Sequence, residues 1–118
     1  MPDRVFLVGP MGSGKTTIGK ILAKNLKMKF FDTDLEIERR TGASVSWIFD
    51  VEGETGFRDR EKQLVEEMTK MESIILATGG GVILRPRNRQ ILSKRGLVVY
   101  LRAGVEDLVE RMKGDNKR

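Results

Sequence analysis

Gly9-Pro10-Met11-Gly12-Ser13-Gly14-Lys15-Thr16 gathers in one short run what is needed to grip a polyphosphate. It fits G-x-x-x-x-G-K-[ST] at every defined position. Without side chains in the way, backbone N–H groups can turn inward around phosphate oxygens. Gly12, Ser13 and Gly14 supply such amides, Lys15 adds a full charge for the β- and γ-phosphates, and the Thr16 hydroxyl is a ligand for Mg²⁺. Thr17 can add a further hydroxyl. A helix starting near Lys15 points the positive end of its dipole at the same phosphates. Such a run signals nucleoside triphosphate binding and leaves the phosphate acceptor open.

Three further groups bear on that acceptor. Asp32 and Asp34 close an apolar run, and if the chain is still extended there, both side chains project to one side. One carboxylate can then hold Mg²⁺ through water while the other takes a proton from an attacking hydroxyl; alternatively, one of them caps the next helix. Arg58 lies beside the apolar stripe of its helix, with Glu61 placed to steady it. On the residues alone, the run Arg58-Asp59-Arg60-Glu61-Lys62 reads first as a solvated surface; the other reading is bidentate capture of a carboxylate. Gly79-Gly80-Gly81 follows a buried run, where bare backbone can approach a ligand closely. Thr78 stands where many phosphate-loop enzymes carry a magnesium-side acid, which makes Asp32 the better magnesium candidate.

The elements that must position these groups alternate short apolar runs with amphipathic stretches, the pattern of βα units and a mostly parallel sheet. Val5–Val8, Lys29–Phe31, Ile74–Ala77 and Leu97–Leu101 read as strands. Between them, Ile18, Ile21, Leu22 and Leu26 mark one helix, and Leu35 and Ile37 a second that Gly42 stops. Ser44–Phe49 reads as a short helix with Ser44 as N-cap. After Gly53 a longer helix carries Phe57, Glu61, Leu64, Val65, Met68 and Met71 on one face. Pro86–Arg95 forms a helix ended by Gly96, and Val105, Leu108, Val109 and Met112 mark one more.

The chain of 118 residues reads as a single domain, with no internal repeat or linker. Hydrophobic residues make up 39% and charged residues 33%, an ordinary globular balance. No apolar run approaches the ~20 residues that span a bilayer, and the first residues do not form a secretory signal, so a cytoplasmic protein is expected. With no cysteine and no histidine, disulfides, thiolate metal sites and imidazole chemistry are excluded. A net charge of +5 suits anionic small molecules; with five Phe, one Trp and one Tyr there is no stacking surface for nucleic acid, and none is expected as partner.

GPMGSGKTTIG at 9–19, FFDTDLEIE at 30–38, TGASVSWIFDVEGETGFRDRE at 41–61 and ATGGGV at 77–82 together resemble shikimate kinase, in order and in spacing. The resemblance runs over essentially the whole chain. It implies a three-layer α/β/α P-loop NTPase fold with a mostly parallel sheet, an acceptor-binding segment at about 33–61 and the start of a lid at about 112–118. It also implies transfer of the ATP γ-phosphate to the 3-hydroxyl of shikimate, in aromatic amino acid (chorismate) biosynthesis, by an enzyme of a family often monomeric. Carried over by position, Asp34 binds shikimate hydroxyls and is the base, Arg58 holds its carboxylate, and Gly80 and Gly81 offer backbone contacts. Asp32 supports Mg²⁺ beside Thr16, Arg111 lies along the adenine, and Arg118 is the lid arginine that joins Lys15 at the transferring phosphate. Family members continue further, so a fragment is expected here. It would lack the final edge strand and helix, a second substrate-binding arginine and the adenine-side loop, with a lid unable to close and a tendency to associate. The alternatives are a truncated, non-catalytic nucleotide-binding module and a related small-molecule kinase such as a gluconate kinase.

Overall fold

The computed structural model describes residues 3–10 and 12–102. Four parallel strands, β1 (Arg4–Val8), β2 (Lys29–Asp32), β3 (Ile74–Ala77) and β4 (Leu97–Tyr100), form one sheet in the order β2-β3-β1-β4. Each strand after β1 is reached through a helical crossover: α1 (Lys15–Leu26), α2 (Thr33–Thr41) with α3 (Val45–Met68), and α4 (Pro86–Arg95). The alternation along β1 explains the layering. Val5 and Leu7 face α1 with Ala23, Leu22 and Leu26, while Phe6 and Val8 face Ile37, Phe57, Leu64, Val65, Ile91 and Leu92. Both faces are therefore buried, as a parallel sheet requires. The expected α/β/α layering holds, and all four strand C-termini open on one edge, where ligands bind in such sheets.

Several expectations are corrected in detail. Ile21 is half exposed, and α1 packs instead through buried Gly19 and Ala23. A Cβ on Gly19 would overlap the Phe30 ring, so the small residue lets the helix lie close on the sheet. Leu35 is exposed because α2 buries only the side that carries Thr33, Glu36 and Ile37. Met71 lies beyond the end of α3 and is partly exposed. β1 begins at Arg4, β2 runs on to Asp32, β4 ends at Tyr100, and a short 3₁₀ turn at Val82–Leu84 follows the glycine triplet.

The helix boundaries follow local chemistry. Ser44 caps α3 by accepting the Trp47 N–H at 3.1 Å, and Gly42 ends α2 at φ 71°. α3 is two helices joined across a kink at Gly53 (φ 75°, ψ 176°), so the short and long helices read from the sequence are both present. The helix expected over Val105–Met112, the start of the lid, Arg111 and Arg118 lie outside the described residues.

Candidate functional site

The loop after β1 turns tightly enough for the Ser13 N–H to donate to the Pro10 carbonyl at 3.2 Å. Gly12 and Gly14 hold φ of 77° and 91°, a conformation costly for any residue with a Cβ. Gly14 stands at the N-cap of α1, and among the described residues no side chain caps that end. The first amides of α1 therefore point into the cleft with the positive end of the helix dipole behind them. Lys15 Nζ donates to the carbonyls of Gly9 at 2.7 Å and Pro10 at 2.9 Å, folding over the loop. Burial lowers its pKa, against the opposing pull of Asp32 and Asp34.

A cleft of about 170 Å³ is lined by Gly12 to Thr16, Asp32, Asp34, Thr78, Gly79 and Gly80. The loop, the acidic pair and the first two glycines of the triplet are thus brought together. The acidic pair arrives there by a route different from the one expected. The chain is no longer extended at Asp34, since α2 begins at Thr33. Asp32 Oδ1 accepts the N–H groups of Asp34 (2.9 Å) and Leu35 (3.1 Å) as an N-cap, and its Oδ2 accepts the Thr16 hydroxyl at 3.2 Å. Asp32 therefore caps the helix with one oxygen and presents the other beside Thr16. Asp34 sits in the first turn of α2 with Oδ1 buried and unpartnered among the described residues. Burial, then the neighbouring Asp32 and Glu38, push its pKa up, while Arg58 and Lys15 oppose them.

Arg58 does not lie on a solvated surface. Its side chain is 18% exposed, and NH1 donates to Glu61 Oε1 at 2.7 Å. The guanidinium carbon lies 5.6 Å from the Phe49 ring and 5.5 Å from the Phe57 ring, two rings that pack on each other at 4.8 Å. A Cβ on Gly81 would overlap that guanidinium, so the third glycine makes room for the arginine. Glu61 is 1% exposed, and its pKa is raised by burial against the Arg58 hydrogen bond. Its Oε2, like Arg58 Nε and Asp34 Oδ1, lacks a hydrogen-bond partner among the described residues. These atoms together offer two acceptors and one donor, a set that suits hydroxyl groups and a carboxylate.

Of the remaining expected residues, Gly80 lines the cleft and Gly81 lies beside Arg58, whereas Thr17 is exposed on α1 and does not line the cleft. Thr78 gives its hydroxyl proton to the Leu7 carbonyl at 3.1 Å. The sequence reading missed Phe49 as a platform for Arg58 and the buried Thr33 between the two aspartates. An aromatic residue in the preceding helix was the only available signal for the first, and nothing marked the second.

A parallel α/β sheet with a glycine-rich loop between an interior strand and the first helix defines the P-loop fold class. The shikimate kinase family model matches residues 11–118. Shikimate kinases of Buchnera aphidicola subsp. Schizaphis graminum and of Legionella pneumophila are 56% and 54% identical over 97% of this chain. A shikimate kinase of Acinetobacter baumannii, solved in complex with shikimate, superposes with a TM-score of 0.85 at 50% identity over 98% of this chain. The chain belongs to the shikimate kinase family. It spans 66% and 65% of the two curated relatives' lengths and 65% of the solved chain. A gluconokinase of Sinorhizobium meliloti, 17% identical with a TM-score of 0.56, shares the fold alone.

Proposed function

We propose that the protein transfers the γ-phosphate of ATP to the 3-hydroxyl of shikimate. The observation that carries this reading is the meeting, in one cleft, of the phosphate loop with Asp34, Gly79 and Gly80, with the Arg58 guanidinium set against the adjoining Gly81. The likeness to a shikimate-bound relative supports it, as does family membership. Lys15 and the α1 amides hold the triphosphate. Arg58, braced by Glu61 and the two phenyl rings, fixes the acceptor carboxylate. Asp34 orients the hydroxyl and takes its proton as the oxygen–phosphorus bond forms and the bond to the ADP oxygen breaks. Phosphoryl transfer depends mainly on such positioning and charge neutralisation.

Magnesium fits the residues present: a threonine hydroxyl and one carboxylate oxygen face each other beside the loop, both hard oxygen donors. Thr16 and Asp32 would hold it, with the remaining positions left to water and phosphate. When bound it neutralises charge on the β- and γ-phosphates. The roles of Gly80 and Gly81 in holding the acceptor, and of Arg111 and Arg118 at the adenine and the transferring phosphate, belong to the same proposal. Among the described residues no helix is long and apolar enough to cross a membrane; a cytoplasmic place and a role in aromatic amino acid biosynthesis accompany the proposed activity.

The test is ADP formation with Mg·ATP and a panel of hydroxy acids. Shikimate alone should support turnover. Lys15→Ala should lower it by about a hundredfold or more, and Asp34→Asn by a similar factor. Equal ADP release without an acceptor, or preference for gluconate, would overturn the reading.

A further inference from the structure

Thr33 stands between the two aspartates of the cleft and is fully buried. Its hydroxyl accepts the Gly79 N–H at 2.8 Å. β2 and β3 pair in parallel as far as Asp32 and Ala77, and the ladder stops there because the chain turns into α2 at Thr33. Gly79 lies past the end of β3, where no carbonyl of β2 remains to receive its N–H. The Gly79 amide is partly withdrawn from water, and the Thr33 side chain adds a rung to the ladder where the backbone has turned away.

The placement of that rung matters for the acceptor side of the cleft. A Cβ on Gly79 would lie 2.6 Å from Asp34 Oδ1 and 3.1 Å from Glu61 Oε2, so this backbone is seated directly against both carboxylates. Gly80 follows as a cleft wall and Gly81 faces the Arg58 guanidinium. The far end of the loop is held separately, by Asn88 Nδ2 donating to the Val82 carbonyl at 2.9 Å. The phosphate loop has its own ties through Lys15, Ser13 and Thr16.

We propose that Thr33 is a positioning residue for the acceptor: its hydroxyl holds Gly79, and so sets where the triplet backbone, Asp34 and Arg58 meet the incoming alcohol. The inference rests on the reading of this cleft as a shikimate site. Thr33→Val keeps the shape, removes the acceptor oxygen and orphans the Gly79 N–H; Thr33→Ser keeps the oxygen.

Calorimetric titration of shikimate and of ADP, each alone, into the full chain and both variants tests it, together with hydrogen exchange at the Gly79 amide. Thr33→Val should weaken shikimate about tenfold, leave ADP within about twofold, and speed Gly79 exchange at least about tenfold, magnitudes that follow from the loss of one part-buried hydrogen bond. Thr33→Ser should stay within about threefold of wild type on all readouts. Should Thr33→Val not fold, Thr33→Cys, whose sulfur is a weak acceptor, carries the same comparison. Equal weakening of both ligands, or unchanged shikimate affinity, overturns the inference while leaving the function intact. A wild-type chain that binds ADP but not shikimate overturns the acceptor reading and this inference with it.

Discussion

Asp34 shows how a single side chain is prepared by its surroundings. Its carboxylate is largely desolvated, and the nearby Asp32 and Glu38 make ionisation harder still, against Arg58 and Lys15. As the proposed base Asp34 must be ionised to accept a proton, so its raised pKa would move the acid limb of turnover above the ordinary aspartate value of 3.8. A pH profile of kcat/KM for shikimate, which reports the free enzyme, should show that limb displaced upward; a limb at the ordinary value would mean that another group takes the proton. Glu61 gives a stability counterpart. Burial raises its folded pKa, so between its ordinary 4.5 and that higher value the folded chain binds more proton than the unfolded one. Wild-type stability relative to Glu61→Gln should therefore fall as pH rises through that window and level off above it, as read by denaturant melts at stepped pH. At this scale the sequence disclosed residue types and spacing, including Lys15, Asp34 and Arg58. It could not disclose that Arg58 is stacked on Phe49 and Phe57, because the aromatic platform is assembled across the Gly53 break.

The junction of β2 and α2 is the element on which the cleft turns. Asp32 serves two neighbours there, capping α2 and facing Thr16. Asp32→Ala should cost about 1 kcal/mol of stability for the lost cap, measured by thermal or chemical denaturation. The same substitution should raise the magnesium concentration needed for half-maximal turnover, whereas Asp32→Asn, which can still cap, should show the magnesium effect with little loss of stability. Gly81→Ala should disturb shikimate binding more than nucleotide binding, because its methyl would enter the space of the guanidinium. Element types were legible from apolar runs and from the capping residues Ser44 and Gly42. The α1 stripe was misread at Ile21 because close helix–sheet packing selected Gly19 and Ala23, small residues that a search for large apolar side chains passes over.

Across the whole molecule, the sheet makes the cleft possible by burying both faces of β1 and β3, which fixes the strand ends against each other. Leu76 at the centre of β3 has no exposure, and Leu76→Ala should cost about 2–5 kcal/mol and slacken the triplet that follows it. The fold class was legible because the alternation of apolar strands and amphipathic helices leaves few other arrangements. The dependence of the triplet on Thr33 was not, since a threonine between two aspartates carries no pattern of its own. The most direct measurement is a crystal structure of the chain with ADP and shikimate at saturating concentrations. The phosphates should lie on the α1 amides, with the shikimate carboxylate on Arg58 and a ring hydroxyl within hydrogen-bond distance of Asp34. Shikimate bound away from Arg58 and Asp34, or absent while ADP is in place, would contradict that assignment.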